Sequence, residues 1–140
     1  MSLDAASEAL LRRAIALAVR ARESGNPPFG SLLVDGAGTV LAEDTNTTAT
    51  ERDVSAHPEL KLARWAARHL TPEQVADVTM YTSCEPCAMC TWAMERAGLV
   101  RVVFSLSSAH LAAARPSPPV AELHRDGPHL VDEGADAVRG

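Results

Sequence analysis

Aromatic residues are scarce in this chain. They make up 4% of its 140 residues, and none follows Phe104. Lysine is scarcer: Lys61 is the only one, so the basic charge is almost all arginine, and it gathers in no tail or stripe. The net charge is −5. Binding to a phosphate backbone depends on local positive charge and displaced counterions, so a nucleic acid is an unfavoured partner for such a chain. No apolar run is long enough for a membrane span, and the first residues do not read as a signal peptide, which points to a soluble, cytoplasmic protein. Cysteine occurs three times, at Cys84, Cys87 and Cys90. An odd, tightly clustered set argues for metal or redox chemistry over a disulfide framework.

What is present is enough for one domain over residues 1–140. Hydrophobic residues are 46% of the chain and can fill a sizeable core. Residues 4–24 read as a helix, capped by Asp4 and stopped at Gly25, with Leu10, Ala14, Leu17, Ala18 and Ala21 on one face. Ser31–Val34 and Thr39–Glu43 read as a hairpin about Asp35-Gly36-Ala37-Gly38. A polar loop over 44–55 follows, then a helix from about His57 to Leu70, which tolerates Pro58 in its first turn. Val78–Tyr81 reads as a strand, Pro86–Ala97 as a helix stopped by Gly98, and Leu99–Phe104 as a further strand. Strand–helix–strand order suggests a right-handed parallel crossover, and helices on both sides of a mixed sheet make an α/β sandwich. The core is expected over 4–104. Residues 105–140 are weakly defined, with a short helix near 107–114 and a strand near Leu130-Val131.

The chemistry gathers in two stretches, Ala56-His57-Pro58-Glu59 and Thr82-Ser83-Cys84-Glu85-Pro86-Cys87-Ala88-Met89-Cys90. Helical projection puts Glu59 with Ala63, Ala66 and Leu70 on the apolar side of its helix, opposite Lys61, Arg64 and Arg68. A carboxylate there is costly unless compensated. It is either a buried structural glutamate held by backbone N–H groups or an acid/base beside a metal. Cys87 and Cys90 open a helix, whose N-terminus favours thiolates. Cys-x-x-Cys alone fits zinc, a redox dithiol or part of an iron–sulfur site. A redox dithiol has no use for His-x-Glu, and an iron–sulfur site wants a fourth cysteine. His57, Cys87 and Cys90 supply three zinc ligands, one short of a closed structural site. An open zinc site with Glu59 beside it is the arrangement for hydrolysis, with Glu59 as the base. Cys84 could serve as a ligand in principle, but is expected at the end of the preceding strand.

Together His57-Pro58-Glu59 and Pro86-Cys87-Ala88-Met89-Cys90, about thirty residues apart, resemble the signature of the cytidine deaminase-like zinc deaminases, in which the Glu is the general acid/base. The likeness extends over residues 4–104 and is greatest to guanine deaminases, small nucleoside deaminases and transfer-RNA adenosine deaminases. Pro28-Phe29-Gly30-Ser31 resembles a Pro-Phe-Gly-Ala segment of that family. The resemblance implies a three-layer α/β/α sandwich about a mixed five-stranded sheet, a Zn2+ cofactor and a homodimer. It implies base-binding roles for Asn46 and Phe29, and backbone contacts to substrate around Ala56 and Glu85.

The chain departs from the pattern in three places. Pro58 stands where alanine is common. Trp92 stands where glycine is common, on the outer face of the cysteine helix, which suggests an interface residue. With no aromatic after Phe104, any lid over the pocket is aliphatic, absent or lent by a partner. The leading expectation is a hydrolytic deaminase of a purine or pyrimidine base or nucleoside, guanine-like first. A transfer-RNA adenosine deaminase shares every motif. A non-catalytic zinc-stabilised binding module explains His57 and the cysteines, but not Glu59 or the missing fourth ligand.

Overall fold

The computed structural model describes residues 2–140. Helix α1 (Ala5–Glu23) begins at Asp4, whose carboxylate accepts the Ser7 N–H at 2.7 Å. Strands β1 (Gly30–Val34) and β2 (Val40–Thr45) form the hairpin. A one-turn helix α2 (Thr48–Glu51) follows, then α3 (Pro58–His69) with proline at its first position, and the short α4 (Pro72–Ala76). Strand β3 (Thr79–Cys84), α5 (Ala88–Arg96) and β4 (Val102–Leu106) complete the crossover. Two further helices, α6 (Ser108–Ala114) and α7 (Val131–Arg139), end the chain. No helix among the described residues is long and apolar enough to cross a membrane.

The sheet is mixed, in the order β2-β1-β3-β4. β1 is antiparallel to β2 and to β3, while β3 and β4 are parallel, as the intervening helix requires. Strand alternation sorts the side chains into two layers. Leu32, Val34 and Tyr81 pack under α1 with Ala14 and Leu17. Leu33 and Met80 pack on the other side with Leu62, Ala63, Ala66 and Met94 from α3 and α5. Two ion pairs tie helices to β2. Arg13 Nε lies 2.6 Å from Glu43, and Lys61 Nζ lies 2.9 Å from Asp44.

Several expectations need correction. The sheet has four strands among the described residues, not five. The strand expected near Leu130-Val131 is instead the beginning of α7. Val131, Ala135 and Val138 recur at helical spacing, and Asp132 and Glu133 in the first turn with Arg139 in the last complement a helix dipole. The last sheet strand starts at Val102 rather than Leu99. Gly98, in the left-handed region at φ +92, and Leu99, whose N–H bonds Met94 O at 3.0 Å, are spent closing α5. The polar stretch 44–55 contains the end of β2 and α2. Residues 112–134 are all exposed.

β1 runs close against α1. A Cβ on Gly30 would lie 2.4 Å from Leu17 Cβ, 2.6 Å from Ala18 N and 2.7 Å from Ala14 O. Two of these atoms are helix backbone and cannot turn aside. Gly30→Ala is therefore expected to lose about 3 kcal/mol of stability, measured as a lowered urea midpoint at unchanged slope.

Candidate active site

The backbone brings the two sequence stretches together at the starts of two helices. His57 is the N-cap of α3 and Cys87 the N-cap of α5, and neither side chain caps its own helix. His57 is half-buried and Cys87 exposed, while Cys90, in the first turn of α5, is fully buried. His57 Nδ1 lies 3.7 Å from Cys87 Sγ and 3.5 Å from Cys90 Sγ. The three donor atoms all lie within 4.8 Å of one another, and no other His, Cys, Asp or Glu of the described residues joins them.

This donor set fits zinc. With Zn–S of about 2.3 Å and Zn–N of about 2.0 Å, the N···S edge of a tetrahedral site is about 3.5 Å. Without a metal the three donors share their protons unevenly. The Cys87 thiol is pulled down to about 3, first by a hydrogen bond from Cys90 and then by His57. Cys90 is pushed well up, by donating to Cys87, by burial and by the nearby Glu59. His57 is raised, chiefly by its bond to Cys87. Two sulfurs this close share a proton between them; a dication allows both to be thiolates.

Glu59, in the first turn of α3, is 7% exposed. Its Oε1 accepts from Ser31 Oγ at 3.0 Å and faces Thr82 Oγ1 at 3.4 Å. Burial raises its carboxyl above the ordinary range, opposed by the Ser31 hydrogen bond and by His57. A carboxyl whose neutral form is favoured by burial and whose charged form is held by a hydrogen bond has both states supported by its surroundings. Cys84 ends β3, buried and outside the donor cluster, and burial raises its thiol.

A cavity of about 230 Å³ opens onto these groups. Phe29, Pro58, Cys84 and Glu85 line it with His57, Glu59 and Cys87, as do Leu111 and Ser117. Phe29 and Glu85 thus stand at the pocket. The Glu85 side chain itself faces away to cap α6, accepting Ser108 N–H at 2.8 Å and Ser108 Oγ at 3.1 Å, and its own N–H bonds Leu106 O at 2.8 Å. Asn46 and Ala56 are buried but do not line the cavity. Asn46 Oδ1 accepts Thr48 N–H and Thr48 Oγ, both at 2.9 Å, and so starts α2. Those donors fix the amide orientation and leave Nδ2 free of protein partners among the described residues. Ala56 N–H bonds Asp53 O, and its carbonyl accepts Thr47 N–H, both at 3.1 Å.

Four contributors escaped the sequence reading. Ser31 and Thr82 underlie Glu59, and their signal was a hydroxyl residue at the core-facing phase of each strand, two positions from Leu33 and from Met80. Leu111 and Ser117 come from the stretch whose pattern is weakest, and no local signal marks them.

Residues 4–106 match the family described as the cytidine and deoxycytidylate deaminase zinc-binding region. The chain belongs to this family. Among curated relatives, a guanine deaminase of Bacillus subtilis is 40% identical over 88 residues, covering 62% of this chain and 56% of that protein. A tRNA-specific adenosine deaminase of Haemophilus influenzae is 33% identical over 100 residues, 71% of this chain and 58% of that protein. A probable cytosine deaminase of Schizosaccharomyces pombe is 36% identical over 103 residues, 74% of this chain and 62% of that protein. The chain thus aligns with little more than half the length of these relatives. The solved structure of the Bacillus guanine deaminase superposes with a TM-score of 0.75 at 28% identity, covering 98% of this chain and 94% of that one. The zinc-binding character of the family and the His57–Cys87–Cys90 cluster agree on Zn2+ as the metal.

Cys90→Ser and His57→Ala are each expected to reduce bound zinc from one equivalent to well below one, read by elemental analysis of gel-filtered protein. Cys84→Ser keeps the full equivalent. Because the donors must lose protons to bind, zinc affinity in the unaltered chain falls as pH is lowered.

Proposed function

We propose that this chain is a zinc-dependent hydrolytic deaminase that replaces the exocyclic amine of a nucleobase, guanine-like first, with a carbonyl oxygen and releases ammonia. The observation that carries this reading is the pairing of a three-donor cluster with the buried Glu59 at one small cavity. A structural zinc site has no need of either the open coordination position or the carboxyl. The cavity falls below the ~300–1,000 Å³ typical of drug-sized ligands, and so suits a single heterocycle.

In this reading His57, Cys87 and Cys90 hold the zinc. Bound there, zinc supplies the Lewis acidity that makes water a nucleophile at neutral pH. Glu59 would take a proton from the attacking water and return protons to the ring nitrogen and to the departing amine, so that amidine plus water becomes carbonyl plus ammonia. Phe29 packs on the ring, and the Glu85 carbonyl faces the leaving amine. Asn46 Nδ2 serves the base once its side chain leaves the Thr48 contacts, and the Ala56 carbonyl does so through its second lone pair. Leu111 supplies an aliphatic lid in place of an aromatic one. One domain carries all of these groups. Trp92 is 59% exposed on α5, with the Arg96 guanidinium 3.8 Å over its ring, and supports a homodimer through that face. A cytoplasmic setting suits three free cysteines.

The similarity to a tRNA-specific adenosine deaminase favours a second reading, in which the same pocket takes an adenine extruded from a transfer-RNA loop. The acidic net charge weighs against it.

An ammonia-release screen of zinc-loaded protein against bases, nucleosides and an anticodon stem-loop separates these readings. Turnover of a free base is expected. Glu59→Gln keeps zinc and fold and lowers kcat by about 10²–10⁴-fold. A Glu59→Gln protein as active as the parent would remove Glu59 from the chemistry.

A further inference from the structure

Beneath Glu59, two hydroxyls sit where the sheet is otherwise apolar. Ser31 on β1 and Thr82 on β3 are register partners, and both are fully buried. Their neighbours on the same face, Leu33 and Met80, are also partners and also fully buried. A hydroxyl in such a layer is costly unless bonded. These two satisfy one another at 2.7 Å, and that contact would suffice for a merely structural pair. It does not use every hydrogen available. Each hydroxyl has one to donate.

The separations give the hydrogens one consistent direction. Facing a carboxylate, Ser31 Oγ donates to Glu59 Oε1 at 3.0 Å. Thr82 Oγ1 is then the donor in the 2.7 Å contact with Ser31, its own distance to Oε1 being a longer 3.4 Å. Hydroxyl chains of this kind polarise along their length and hold their end point firmly. Oε1 is thereby committed to the sheet, while Glu59 still lines the cavity.

We infer that Ser31, backed by Thr82, is a positioning residue that fixes the Glu59 carboxyl in the rotamer presented to substrate. This rests on the proposed role of Glu59. The Pro-Phe-Gly-Ala segment that this stretch resembles has alanine where Ser31 stands. Ser31 has no hydrogen bond to His57, Cys87 or Cys90 and does not line the cavity. Its effect is confined to orientation, where small misplacements are expensive in rate.

The test uses full-length zinc-loaded protein and the best substrate of the ammonia-release screen. Ser31→Ala is expected to lower kcat about tenfold with KM unchanged. Thr82→Val, which keeps the shape and removes the hydroxyl, lowers kcat about threefold, whereas Thr82→Ser restores it. Crystal structures supply a readout that needs no turnover: Glu59 occupies one rotamer in the parent and more than one in Ser31→Ala. An unchanged kcat in Ser31→Ala, or a Glu59 still held in a single rotamer there, overturns the inference while the deaminase reading stands. If the parent releases no ammonia from any compound, the deaminase reading fails, and the Glu59 rotamers alone decide whether Ser31 positions it.

Discussion

Two helices begin side by side over one end of the sheet, and the rest of the molecule serves that meeting. The starts of α3 and α5 carry the His57, Cys87 and Cys90 cluster that could hold a metal ion, and Glu59. Their N-termini concentrate unpaired N–H groups and the positive ends of two dipoles, which favour negative charge and oppose the effect of burial on Glu59 and Cys90. Neither N-cap side chain turns back on its own helix, so the imidazole and the Cys87 sulfur point at each other instead. A dication between them removes a conflict that protons alone settle awkwardly, one thiol held far down and its neighbour far up.

That meeting depends on a rigid floor. α3 and α5 pack on the face of Leu33 and Met80, and α1 clamps the other face through Leu32, Val34 and Tyr81. The close seat of α1 on Gly30 sets the height of β1, and with it the height of Ser31 beneath Glu59. Stability and chemistry are thus linked through one strand. The residue after the tight glycine contact is the one that touches the buried carboxyl.

The pocket is built unevenly. Part of its lining comes from the β3 end at Cys84, the α3 start and the α5 start. Leu111 and Ser117 also line it, and the chain is exposed from residue 112 to 134. The relatives include a guanine deaminase, a tRNA-specific adenosine deaminase and a probable cytosine deaminase, so one family frame carries proteins named for different amines.

Much of this was legible in the amino-acid order. His57-Pro58-Glu59 and Pro86-Cys87-Ala88-Met89-Cys90 declare a metal by residue type and spacing. The apolar phase of α3 places Glu59 inward, because helical periodicity is a local property. The caps at Asp4 and Gly98 mark helix ends for the same reason. Other features depend on neighbours distant in sequence. Ser31 and Thr82 are unremarkable hydroxyls until β1 and β3 pair them under a carboxyl, and Asn46 is a turn-former as well as a possible base contact until its oxygen meets Thr48. The fifth strand was expected from kinship, yet Val131–Arg139 follows its own helical pattern, and no pairing partner overrides it. Residue type and period determined the chemistry and the helices of this protein; strand pairing and the approach of α3 to α5 decided which side chains meet, since contacts across the sheet are set by packing and not by any local run of residues.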